Sequence, residues 1–197
     1  MRDHLLLAIN DRRCQIDGAD ALLTLSDFLR KRLRLVGSKI VCSEGDCGAC
    51  TVLVGRRRHA SGEWHYQPID SCIALMFQLD GAHVVTVEGL ADEGQLNRVQ
   101  QAMVDCHGSQ CGFCTPGFVV QMTALCEQQA TLTVDDLRLG LTGNLCRCTG
   151  YIPIFEAGQA AAEARELAVS QRYPTPLGNS GSGHAVRNGA AAESLEM

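Results

Sequence analysis

Cys42-Ser43-Glu44-Gly45-Asp46-Cys47-Gly48-Ala49-Cys50 places three cysteines at the spacing C-x4-C-x2-C, and Cys72 follows after 21 intervening residues. A planar diiron core needs four thiolates, and one tight loop can deliver three of them while a distant segment closes the cage. Such a loop runs its backbone close to the bridging sulfides. Gly45 and Gly48 remove side chains from that path and permit positive φ. Their amides and those of their neighbours can then donate to sulfur, which helps set potential. Zinc is the plain alternative, but structural zinc sites pair two C-x2–4-C knuckles, whereas this set is three plus one. Cys42, Cys47, Cys50 and Cys72 are therefore the expected ligands of a [2Fe–2S] cluster, in the plant-type spacing.

A second set follows: Cys111-Gly112-Phe113-Cys114, then 31 residues, then Cys146-Arg147-Cys148. Two pairs of thiolates could hold zinc as well as iron–sulfur, although Cys-x-Cys must turn alternate residues toward one ion. Thr115-Pro116 opens a helix right after the first pair, with proline where its missing N–H costs nothing. Another helix, expected over Ile154 to Leu167, follows the second pair. Helix N-termini carry free N–H groups and partial positive charge, which suits an anionic thiolate cluster. With a [2Fe–2S] loop already in the chain, Cys111, Cys114, Cys146 and Cys148 read as a second such site. A thioredoxin-like reading of Cys111–Cys114 lacks the surrounding βαβ pattern. His107 is adjacent, but four cysteines fill the site. Cys14, Cys106 and Cys126 read as buried thiols packed as small hydrophobes.

The scaffold for these sets can be sketched outward. Leu5–Ile9 and Cys14–Ile16 form a hairpin about Asn10-Asp11. Thr24 to Leu35 has Leu25, Phe28, Leu29 and Leu33 on one helical stripe, with Arg30, Lys31, Arg32 and Arg34 mostly opposite. Thr51–Val54, Trp64–Ile69 and Val84–Val87 read as strands. Past Leu90 the pattern turns helical: Leu96, Val99, Gln100 and Met103 begin one stripe, and Thr133 with Asp136 forms a capping box for another helix. The expectation is an α+β chain: a ferredoxin-like domain over 1–90, a helical domain over 91–170, and a linker-like tail over 171–197. The boundary falls near residues 89–94, where the chain turns polar.

Composition bounds the rest. The chain has 197 residues, 46% hydrophobic, with a net charge of −5, so neither a nucleic-acid-binding face nor a transmembrane span is expected. The N-terminal apolar run is too short for a secretory signal, and a cytoplasmic protein is the reading. Eleven cysteines in that compartment favour metal binding over disulfides. Arg56-Arg57-Arg58-His59 and the Arg30–Arg34 cluster read as solvated faces, with a docking patch for an acidic partner as the alternative. No acid, base or nucleophile constellation for substrate chemistry is present.

At Glu44–Thr51, Gly108–Phe118 and Gly143–Tyr151 the chain resembles the iron–sulfur component of the molybdenum hydroxylases, the xanthine oxidase family, over about residues 5–168. The resemblance implies an N-terminal β-grasp ferredoxin domain followed by a four-helix bundle. It implies a molybdopterin-binding large subunit and an FAD-binding subunit as partners, with electrons passing from molybdenum through the bundle cluster and the ferredoxin cluster to FAD. By motif position Gln110 and Cys148 lie at the pterin. Glu44-Gly45-Asp46 is most similar to the xanthine dehydrogenase branch. An aldehyde or N-heteroaromatic hydroxylase, a free two-cluster carrier and a zinc-stapled interaction module are the other readings. No flavin domain follows the linker-like tail, so the flavin is expected on a separate chain, or another acceptor is used.

Overall fold

The computed structural model describes residues 2–58, 62–91, 94–129, 131–164, 166–177 and 186–187. Strands β1 (Leu5–Ile9) and β2 (Arg12–Ile16) pair antiparallel about a turn in which Asn10 takes φ 52°. Helix α1 (Leu25–Lys31) follows, then β3 (Thr51–Arg57), β4 (Trp64–Asp70) and β5 (His83–Val85). The sheet order is β4-β3-β5-β1-β2, with β1 and β5 parallel and the other pairs antiparallel. The helical half contains α2 (Arg98–Asp105), α3 (Thr115–Gln128), α4 (Val134–Gly140) and α5 (Ile152–Glu163). A short α6 (Val169–Arg172) comes last, and β6 (Val186–Arg187) pairs parallel with β2 at the sheet edge.

Local chemistry sets these bounds. Thr24 caps α1 by accepting from the Asp27 amide at 3.2 Å. The helix stops at Lys31 rather than at Leu35, because the Leu33 and Leu35 amides reach back past the four-residue step to Phe28 and Leu29. Left-handed Arg34, φ 58°, then turns the chain. The Arg30–Arg34 cluster is largely taken up locally. Arg30 donates to the carbonyls of Val36 and Ser38, Lys31 pairs with Asp27, and Arg32 grips Asp20 through two nitrogens at 2.9 and 2.7 Å. Asn97 and Gln100 form a capping box that starts α2 after Leu96, which is left exposed off the helix. The Thr133–Asp136 box opens α4 as its sequence predicts. Left-handed Tyr151 and Pro153 start α5 two residues before Ile154.

Strand alternation divides the core. Val52 and Val54 of β3 face α1 with Leu7, Ile9, Phe28, Leu29 and Met76. Leu53 faces the other way, joining Tyr66, Val85 and Leu90 to Phe118, Val119, Val120 and Met122 of α3. The helical half is thus seated on the second face of the sheet, and each fully buried Leu or Phe in that joint core contributes about 1.5–3 kcal/mol. Residues 92–93 of the expected boundary, His59 of the arginine run, and 178–185 and 188–197 of the tail lie outside the described residues. The start of the tail is docked: Arg172 donates to the carbonyls of Leu90 and Ala91, and Tyr173 donates to that of Gly89.

A buried polar knot backs this joint. His83 is fully buried, with Nδ1 against the Tyr66 hydroxyl at 2.6 Å and Nε2 against the Asn10 carbonyl at 2.7 Å. A carbonyl only accepts, so Nε2 carries the proton and Nδ1 accepts from Tyr66. Burial pulls the His83 pKa down to about 4, and the ring stays neutral.

Candidate metal centres: two four-cysteine sets

The loop before β3 is wound by left-handed residues: Ser43 at φ 62°, Gly45 at φ 77° and Gly48 at φ 65°. This turns successive N–H groups inward into an anion-binding concavity. The amides of Glu44, Asp46 and Cys47, in that order of weight, pull the Cys42 thiol down to about 6. Gly45 has no room for a side chain, since a Cβ there would stand 2.6 Å from Ile73 Cδ1. The thiols of Cys42 and Cys47 interact with each other, and so do those of Cys50 and Cys72. Burial is the main force raising Cys47, and it lifts Cys50 to about 12. The neighbouring Asp70 carboxylate, 3.7 Å from Cys50 Sγ, adds to that rise.

The second set is built the same way on other elements. Cys114 stands at the N-cap of α3, and Cys146 and Cys148 precede α5. Thiol contacts join Cys114 to Cys146 and Cys111 to Cys148, and charge interactions link Cys111 with Cys114 and Cys146 with Cys148. Burial lifts Cys114 to about 12. Burial also pushes Cys146 up, but the Thr149 hydroxyl and amide with the Cys114 thiol and Cys148 amide outweigh it, leaving Cys146 below its ordinary value. The Cys111 thiol and its charge raise Cys148. Tyr151 anchors the loop by accepting from the Cys146 amide at 2.9 Å, its ring set between Phe118 and Phe155.

The eight expected ligands pair as Cys42 with Cys47, Cys50 with Cys72, Cys114 with Cys146 and Cys111 with Cys148, and charge interactions join the last two pairs into one group. Among the described residues no three His, Cys, Asp or Glu side chains converge as a single ion requires. Pairing suits a diiron core, in which each iron takes two thiolates, better than one tetrahedral zinc. Cys111 and Cys148 are exposed, as is Gln110, while Cys114 and Cys146 are half-buried. His107 is exposed in a left-handed turn and lines a groove with Met103 and Val104. Cys14 and Cys126 are buried and Cys106 half-buried.

The sets meet. Leu145, beside Cys146, donates its amide to the Cys47 carbonyl at 3.0 Å, and Asn144 Nδ2 donates to the Gly48 carbonyl at 3.1 Å. Asn144, Leu145, Thr149 and Tyr151 all act at the site and were not singled out by spacing. They lie in the string Gly143–Tyr151, so only the resemblance touched them.

Comparison with known proteins agrees with this geometry. Residues 7–75 match the family model for a 2Fe-2S iron-sulfur cluster binding domain, and residues 86–159 match the [2Fe-2S] binding domain model. Aldehyde oxidase 1 of Oryctolagus cuniculus is 44% identical over 78% of this chain, and xanthine dehydrogenase/oxidase of Rattus norvegicus is 38% identical over 82%. The chain spans about 12% of the length of each of these relatives. Among solved structures, a chain of quinoline 2-oxidoreductase from Pseudomonas putida 86 is 35% identical, with a TM-score of 0.69 over 81% of this chain and 93% of that one. Aldehyde oxidoreductase from Desulfovibrio gigas is also 35% identical, at a TM-score of 0.70, with 81% of this chain and 17% of that chain covered. The chain thus has two distinct [2Fe–2S]-binding domains.

Proposed function

Since this chain belongs to the iron–sulfur components of the xanthine oxidase family of molybdenum hydroxylases, we propose that it relays electrons between partner subunits. One of them binds molybdopterin and the other FAD. In this reading the sheet with α1 is a β-grasp unit over 1–90, α2 to α5 form a four-helix bundle over 91–170, and 171–197 is a tail. Cys42, Cys47, Cys50 and Cys72 hold one [2Fe–2S] cluster, and Cys111, Cys114, Cys146 and Cys148 hold the other. Each cluster supplies a one-electron acceptor when bound.

The observation that carries the proposal is the Leu145 N–H to Cys47 C=O hydrogen bond. It bonds the backbone of a ligand in one set directly to a residue adjacent to a ligand of the other. Exposure supplies a direction. Cys111 and Cys148 are exposed with Gln110, and Phe113 and Ile152, close to them in the chain, are exposed apolar side chains, while Leu145, next to Cys146, bonds Cys47. Exposed apolar side chains around a charged centre suit a buried subunit contact. The pterin is therefore assigned to the Gln110 and Cys148 side, and FAD to the side of the first cysteine set, away from the joint. A free carrier would have no use for that apolar rim. Among the described residues no helix is long and apolar enough to cross a membrane.

The purified chain should be red-brown and carry about four irons and four labile sulfides, two for each cluster. Cys47→Ser should remove one of two EPR signals. A colourless, zinc-loaded protein would overturn the proposal. The substrate is assigned as a purine, on Glu44-Gly45-Asp46. The assembled complex should bleach with xanthine or hypoxanthine. Bleaching by aldehydes or other N-heterocycles alone rejects that assignment and keeps the relay.

A further inference from the structure

The two cysteine loops are joined at two consecutive carbonyls. Cys47 O takes the Leu145 amide at 3.0 Å, and the next carbonyl, Gly48 O, takes Asn144 Nδ2 at 3.1 Å. Two neighbouring donors on two neighbouring acceptors fix one register. Asn144 is 3% exposed. Gly48 O also accepts from the Thr51 hydroxyl at 2.6 Å and the Thr51 amide at 3.2 Å. The first turn of α3 closes the third side, since a Cβ on Gly117 would come within 1.9 Å of Gly48 O. Nothing can be inserted at this joint without moving backbone.

We propose that Asn144 is a positioning residue for electron transfer between the two ligand sets: by holding Gly48 O it keeps the Leu145 N–H on Cys47 O. This inference rests on the relay reading above. Removing the Asn144 amide does not orphan Gly48 O, because Thr51 still supplies two donors. Nor does it touch a thiol or the α3 contact. The loops therefore stay folded and the thiols stay gathered, and what is lost is the register that makes the Leu145–Cys47 contact a bonded one. Electronic coupling through a hydrogen bond is stronger than across the gap that replaces it.

The test uses the full chain with Asn144→Ala and Asn144→Asp, the latter of the same shape but without the NH2 donor. Hydrogen exchange at the Leu145 amide should run about 3- to 10-fold faster in both, the effect of one lost neutral hydrogen bond. Pulsed EPR should show a smaller exchange splitting between the two reduced clusters, and intramolecular electron equilibration after flash reduction should slow, with iron content unchanged. If Asn144→Ala loses iron, Asn144→Asp decides. Loss of iron in both variants with the Leu145 amide still protected makes Asn144 merely structural and overturns the inference. Unchanged splitting in an iron-replete Asn144→Asp also overturns it and leaves the relay standing. A wild-type chain lacking two signals overturns the relay itself.

Discussion

Replacing Gly48 by alanine attacks the joint from the other side, and its cost can be worked from the geometry. Gly48 has φ 65°, and a Cβ there would stand 2.4 Å from Asn144 Nδ2, 2.5 Å from Gly143 O and 2.9 Å from Asn144 Cγ. The left-handed backbone alone costs an L-residue about 1–2 kcal/mol. The Asn144 side chain is buried, so clearing the methyl breaks its bond to Gly48 O. An unsatisfied buried donor costs about 1–3 kcal/mol more. Gly48→Ala should therefore lose roughly 2–5 kcal/mol, a large share of a typical domain's 5–15. Gly81→Ala isolates the backbone part: Gly81 has φ 71° with nothing within 4 Å of its Cβ position, so it should lose only about 1–2 kcal/mol. Guanidinium unfolding midpoints of the iron-loaded proteins, with iron retention measured alongside, make the comparison. Asn144→Ala combined with Gly48→Ala should cost less than the two singles summed, because the side chain the methyl strikes is gone. If Gly48→Ala costs no more than Gly81→Ala, the joint is loose enough to admit a methyl group and the reasoning fails.

Two further predictions concern the scaffold. His83 has its folded pKa depressed from 6.5 to about 4; the unfolded chain then binds the extra proton between those values. Its contribution is complete above about pH 6.5 and is lost as pH falls toward 4, amounting to about 3 kcal/mol. Denaturant titrations at pH 7 and pH 4.5 should show this fall in the wild type and much less of it in His83→Gln; an equal fall in both would place the proton elsewhere. Thr133→Ala, which removes the acceptor for the Asp136 amide in the α4 capping box, should cost about 1 kcal/mol by thermal melting. No change would mean that α4 is held by packing alone.

The cysteine sets were legible because their chemistry is local. Three thiols in nine residues, or two in three, constrain the backbone they sit on, and the interleaved glycines state the turn they need. Capping chemistry was legible for the same reason at Thr133 and at Thr115-Pro116. The end of α1 was not, because Leu33 continues the apolar stripe in sequence while its amide bonds five residues back. Periodicity records which face is apolar, not which carbonyl an amide selects. The Asn97–Gln100 box is masked in the sequence because Leu96, just before it, extends the apolar stripe of α2 but stays exposed in space. His83 had no signal at all: its partners, Tyr66 and the Asn10 carbonyl, lie 17 and 73 positions away.

The joint between the loops belongs to this last class, since Asn144 and Gly48 are 96 positions apart, yet its logic follows from where each set stands in the chain. Cys50 is followed at once by β3, and Cys114 is followed at once by α3. Those two elements are packed on each other, with Leu53 of β3 in one core with Phe118, Val119 and Val120 of α3. The strand and the helix thus carry both loops to the same end of one interface, and Gly48 and Gly117 let their backbones close on each other there. Had each set ended on an element packed only within its own half, a change in the angle between halves would have changed the distance between the sets. Because β3 and α3 share a core, the separation of the two sets is fixed by side-chain packing rather than by the connecting segment near residues 89–94. On that argument a substitution at Ala91, past the last core residue of the connection, should leave the contact between the loops intact, whereas Leu53→Ala, which opens a cavity in the shared core at about 2–5 kcal/mol, should loosen it. Hydrogen exchange at the Leu145 amide reads the difference, and faster exchange from the connection variant than from Leu53→Ala would refute the argument.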